Sequence, residues 1–67
     1  MLRGASPVIR RLAKVARRAR WTVEATRGDH VRFRSPEGVL VVASQTPSDS
    51  RAWLAVRSRL RRAGLKV

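Results

Sequence analysis

No cysteine occurs among the 67 residues, so neither a disulfide nor a thiolate-held metal can supplement a small core. Acidic residues are almost as scarce. Glu24, Asp29, Glu37 and Asp49 are the only four, and His30 is the only histidine. Scattered in this way they are a poor ligand set for Mg²⁺ or Zn²⁺, and the sequence predicts neither a metal nor another cofactor. No apolar run approaches the roughly 18 residues that span a bilayer. The stretch Met1-Leu2-Arg3-Gly4-Ala5-Ser6 also lacks the apolar length of a secretory signal. These absences predict a cytoplasmic protein with no membrane partner. A chain of this length has room for one core and buries only about 60% of its unfolded surface. We therefore expect a single domain over residues 1–67, ordered from about 7 to 65.

What the chain has in excess is positive charge. Sixteen Lys and Arg against four acids give a formal net charge of +12, outside the single-digit range usual for small soluble domains. Such a field repels copies of itself and attracts polyanions, because each Lys or Arg that neutralises a phosphate releases counterions. Nucleic acid is the expected partner, with an acidic protein as the other.

The order of elements follows from periodicity. Ser6-Pro7 is a helix start, with a hydroxyl able to cap and a proline whose missing N–H costs nothing in the first turn. Val8, Ile9, Leu12, Ala13, Val15, Ala16 and Ala19 then share one helical arc, while Arg10, Arg11, Lys14, Arg17 and Arg18 fill the opposite one. From Trp21 the period becomes two. Trp21, Val23 and Ala25 alternate with Thr22, Glu24 and Thr26, and after a turn at Arg27-Gly28-Asp29 a second strand places Val31 and Phe33 opposite His30, Arg32 and Arg34. The turn Ser35-Pro36-Glu37-Gly38 leads to Val39–Ala43, a continuous apolar run that reads as a third strand, buried more fully than its neighbours. Ser48 or Asp49 then caps a second helix running to about Ala63, where Gly64 stops it. On that helix Ala52, Trp53, Val56, Leu60 and Ala63 form the apolar side, which Leu54 does not fit. Both tryptophans read as core.

The fold predicted is α+β, in the order α-β-β-β-α, with a three-stranded antiparallel sheet carrying both helices on one face. The other sheet face then meets solvent and presents His30, Arg32 and Arg34 beside Thr22, Glu24 and Thr26. An imidazole with an ordinary pKa near 6.5 both accepts and donates protons at neutral pH. RNA cleavage needs those two events, at the 2′-hydroxyl and at the departing 5′-oxygen. Arg32 and Arg34 are spaced to stabilise charge on the phosphoryl oxygens. The same spacing also describes a solvated strand face, and Asp29 reads as a turn-favouring residue. Arg10, Arg11, Lys14, Arg17 and Arg18 are expected to contact the phosphate backbone.

From about Val8 to Leu65 the chain resembles the HicA-like toxins, small bacterial and phage proteins of toxin–antitoxin pairs. The resemblance rests on Trp21 opening the first strand, Gly28-Asp29-His30 where Gly-Ser-His is usual, Phe33 three residues after the histidine, Pro36-Glu37-Gly38, and the Arg-rich ending Arg59-Leu60-Arg61-Arg62-Ala63-Gly64-Leu65. It implies a fold similar to double-stranded RNA-binding domains. It also implies a metal-independent mRNA interferase with His30 in the catalytic position, held in check by an acidic HicB-like antitoxin. The sequence departs from that pattern in Asp29, in Thr46-Pro47-Ser48 where Pro-His is frequent, and in Arg20 where glycine usually precedes the aromatic. The alternative expectation is a non-catalytic nucleic-acid-binding module, or an inactive HicA-like relic.

Overall fold

The Ser6-Pro7 pair starts the first helix as the sequence predicts. Helix α1 spans Pro7–Arg18, and the Ser6 hydroxyl accepts a hydrogen bond from the Ile9 N–H at 3.2 Å. In this computed structural model, residues 6–26, 28–45 and 51–67 are described. Ile9, Leu12, Ala13 and Ala16 are buried, and Val8 and Val15 pack at the margin of the core. Ala19, at the helix end, is exposed. There the Trp21 N–H reaches the Ala16 carbonyl at 2.9 Å and the Arg20 N–H the Arg17 carbonyl at 3.1 Å. This doubly bonded helix ending requires a left-handed residue between them. Arg20 supplies it with φ of 67°.

Strands β1 (Thr22–Ala25), β2 (His30–Arg34) and β3 (Leu40–Ser44) form one sheet in that order, both pairings antiparallel. The β2–β3 turn is built by its own residues: the Gly38 N–H bonds the Ser35 carbonyl at 2.9 Å, and the Val39 N–H bonds the Ser35 hydroxyl at 2.9 Å. Gly38, at φ of 93°, takes the left-handed position of a three-residue hairpin loop. The turn expected at residues 27–29 includes one residue outside the described set. Its far side is tied down, because the Gln45 N–H bonds the Asp29 carbonyl at 2.8 Å and the Ser44 hydroxyl bonds the Asp29 carboxylate at 2.7 Å. Those contacts tie Asp29 to the end of β3.

Strand β2 alternates as its sequence requires, with Val31 and Phe33 fully buried and His30, Arg32 and Arg34 exposed. Strand β1 follows with Val23, although Ala25 is exposed at the end of this edge strand. Strand β3 corrects the sequence reading. It is not buried more fully than its neighbours: Val41 and Ala43 face the core, whereas Leu40 and Val42 are 45% and 40% exposed. An apolar run has no polar residues to mark its outer face, so the alternation shows only once the helices cover one face of the sheet and leave the other open.

Helix α2 spans Ala52–Arg62, preceded by Arg51, which makes no side-chain cap. The proposed caps Ser48 and Asp49 lie outside the described residues. Val56 and Leu60 are buried, and Leu54 is exposed, as its misfit predicts. Trp53 is only half-buried, which corrects its assignment to the core; Trp21 is buried. Gly64 ends the helix at φ of 107°, with the Leu65 N–H on the Leu60 carbonyl at 2.9 Å.

Helix α1 packs on β1, α2 packs on β3, and the helices touch each other. Their buried residues form one cluster with Val23, Val31, Phe33, Val41 and Ala43. Both helices therefore cover the same face of the sheet, giving the α+β architecture predicted. Buried Gln45 fastens the layers: its side-chain amide donates to the His30 carbonyl at 3.0 Å, and its backbone carbonyl accepts from the Ser6 N–H at 2.8 Å. No described helix is long and apolar enough to cross a membrane.

Candidate nucleic-acid interface

The register arranges the open sheet face as a grid. Thr22, Arg34 and Leu40 make one row, and Glu24, Arg32 and Val42 the next. The third row contains His30 opposite Ser44, with Thr26 on the other side through its N–H to the His30 carbonyl at 2.9 Å. Every side chain of the first two rows is exposed, as is His30.

Along β2, Arg32 stands about 7 Å from His30 and Arg34 about 14 Å, at roughly 3.4 Å per residue. Arg32 and Arg34 border a shallow hollow of about 260 Å³, completed by Thr22, Glu24 and Leu40. Two guanidiniums beside a concave polar surface suit a phosphate, which accepts their paired N–H donors. His30 stands one row beyond, beside the hollow. Its backbone is fixed through the carbonyl, which accepts from the Thr26 hydroxyl at 3.2 Å as well as from Gln45. Among the described residues no hydrogen bond holds its imidazole, so the ring is free to meet a ligand from solvent.

The register brings one further carboxylate to the neighbourhood of this histidine, besides that of Asp29, which is bonded to Ser44 opposite His30. Glu24 pairs with Arg32 across β1 and β2, and Thr26, two residues on, pairs with His30. Glu24 and His30 are consequently diagonal neighbours, at roughly 7–8 Å. Alternation alone puts Glu24 on this face; only the register puts it beside His30.

The basic residues of α1 are not brought to this site. Arg10, Arg11, Lys14, Arg17 and Arg18 are all exposed, and they occupy about 120° of arc at 3.6 residues per turn, centred opposite the buried residues. Since α1 lies on the covered face of the sheet, that arc points away from the face holding His30. The molecule thus has two separate basic surfaces, one on each side. No group of three or more His, Cys, Asp or Glu among the described residues is placed to hold a metal ion.

Comparison with protein-family models, curated proteins and solved structures finds no match to this chain.

Proposed function

We propose that this protein is a HicA-like, metal-independent ribonuclease that binds RNA across the open sheet face and cuts it through His30. The observation that carries this reading is the exposed line His30, Arg32, Arg34 on the face the helices leave uncovered. The resemblance to HicA-like toxins supports the same reading, and it adds messenger RNA as substrate and an acidic HicB-like antitoxin as partner.

The chemistry is an internal transesterification. The 2′-oxygen attacks the adjacent phosphorus and loses its proton to a base, while the P–O bond to the 5′-oxygen breaks and an acid protonates that oxygen. A 2′,3′-cyclic phosphate is left. His30 serves one of these transfers, Glu24 serves the other, and Arg32 stabilises the charge that gathers on the phosphoryl oxygens. Cytoplasmic RNA is an accessible target for a protein of this size and charge.

The test is incubation of wild-type and His30→Ala protein with labelled RNA in excess EDTA, with mass analysis of the fragment ends. Cyclic phosphate ends from the wild type alone are expected. A Glu24→Gln variant should cut more slowly while still binding RNA. The second reading is a non-catalytic nucleic-acid-binding module. It is favoured by the imidazole having no described hydrogen-bond partner to orient it; RNA left intact by both proteins would favour it, or an inactive HicA-like relic, over the first.

A further inference from the structure

We propose that the outer edge of β3 is the docking site for an extended, acidic segment of a partner protein, which adds to the sheet as a fourth strand. The phase of the ladder defines that edge. The Ser35 N–H bonds the Val39 carbonyl at 2.9 Å and the Gln45 N–H bonds the Asp29 carbonyl at 2.8 Å. Residues 39, 41, 43 and 45 therefore direct their peptide groups toward β2, and Leu40, Val42 and Ser44 direct theirs outward. The Val42 carbonyl agrees with this phase, since it accepts a hydrogen bond from Arg59 Nη1 of α2. With the strand order β1-β2-β3, no described strand lies beyond this edge.

The side chains there are equally unusual. Val39, Leu40 and Val42 are 46%, 45% and 40% exposed, and apart from Leu54 they are the exposed large hydrophobics of the described chain. A groove of about 310 Å³ runs between β3 and α2, with Val39–Val42 as one wall and Arg59, Arg62 and Ala63 as the other. The opposite edge, on β1, has no such apolar row.

Edge strands are commonly blunted by charge, and Arg59 does this here. Its bond to Val42 is long, however, at 3.4 Å, and the side chain is exposed. A carboxylate on an incoming strand would draw the guanidinium into an ion pair and free the carbonyl. The +12 net charge disfavours a second copy of this chain as occupant and favours an acidic one. Strand addition supplies affinity through main-chain bonds, and alternate apolar residues on the newcomer would cover Leu40 and Val42.

A strand in this position also lies beside the row containing His30 and Ser44. If the open face binds RNA as proposed above, the apolar residues of the docked strand over Leu40 and Val42 would narrow the part of that face left to RNA, while its carboxylates meet Arg59 on the α2 side; that consequence alone rests on the functional reading.

The test is hydrogen exchange on the full chain, with an eight-residue peptide of alternating Glu and Val as probe. Two derivatives, N-methylated on every second residue in either phase, serve as controls. The Leu40 and Val42 amides should exchange rapidly in the free protein and at least tenfold more slowly with the peptide. One methylated phase should abolish that protection and the other preserve it. Leu40→Glu, a change at an exposed position, should weaken peptide binding at least tenfold. Unchanged exchange at millimolar peptide, or equal protection by both methylated phases, overturns the proposal. Protection that rises with protein concentration alone overturns it too, by making a second copy the occupant. No RNA is used, so this result is independent of whether the protein cleaves RNA.

Discussion

The two faces of β2 divide the molecule's labour within five residues. Val31 and Phe33 are fully buried beneath the helices, whereas His30, Arg32 and Arg34 stand in solvent on the other side. One face supplies the apolar burial on which a small domain depends, and the other leaves polar groups available to a ligand without any core to disturb. The difference teaches that substitutions one residue apart should have unrelated effects. Phe33→Ala should produce the largest, a loss of about 3–5 kcal/mol, comparable to the whole stability of a chain this short. Circular dichroism on heating should show an unfolded or barely folded protein. His30→Ala, three positions earlier, should melt within a few degrees of wild type while lowering the cleavage rate about 10²–10⁴-fold. A His30→Ala protein that unfolds would break the division.

The two basic surfaces sharpen the same contrast, because they differ in what they stand beside. Arg32 is one strand repeat from His30, while the arginines of α1 face away from it. Arg32→Ala is expected to reduce cleavage at saturating RNA by about 10²-fold, the scale seen when a charge-stabilising donor is removed. The triple substitution Arg10→Gln, Lys14→Gln, Arg17→Gln should leave that saturated rate within a few-fold. Its effect should appear in affinity: on single strands, the slope of log affinity against log salt should fall by about 0.7 for each phosphate that the variant no longer neutralises. Filter binding across a salt series measures it. An unchanged slope would leave Arg32, Arg34 and the α2 arginines as the groups that hold RNA, and the α1 arc as a solvated face.

Much of this architecture was legible from residue spacing. Ser6-Pro7 marks the first helix, period-two alternation marks β1 and β2, and the turn residues Ser35-Pro36-Glu37-Gly38 determine the hairpin that joins β2 to β3. The site was legible as a set of residues on one strand face, and less so as a surface. Nothing in the spacing relates β1 to β2 in register, so the diagonal approach of Glu24 to His30 emerges only when the strands pair. The same holds for β3: the five apolar residues Val39–Ala43 carry no signal for which side is covered, and the exposed Leu40 and Val42 follow from the open sheet face they share with Arg34 and Arg32. Basic residues on α1 and β2 look alike in sequence, yet the helix lies on the covered face of the sheet and points its charges away from His30.

The smallest expected effect comes from comparing the two helix ends, which share one bonding pattern. In both, the residue just past the turn bonds back to a carbonyl five positions earlier, Trp21 to Ala16 and Leu65 to Leu60. Before each stands a left-handed residue, Arg20 at φ of 67° in one case and Gly64 at φ of 107° in the other. A side chain costs roughly 1–2 kcal/mol in that conformation, whereas glycine adopts it freely. Arg20→Gly should therefore stabilise the protein, with part of the gain offset by the wider freedom glycine gives the unfolded chain. A net gain of about 0.5–1 kcal/mol is expected, raising the melting temperature by a few degrees in a domain of this size. Gly64→Ala is the reciprocal change. An added Cβ there meets nothing within 4 Å, so any loss reports the backbone conformation alone and should be of similar size and opposite sign. If Arg20→Gly instead lowers the melting temperature, the arginine side chain contributes more at this turn than its backbone strain costs.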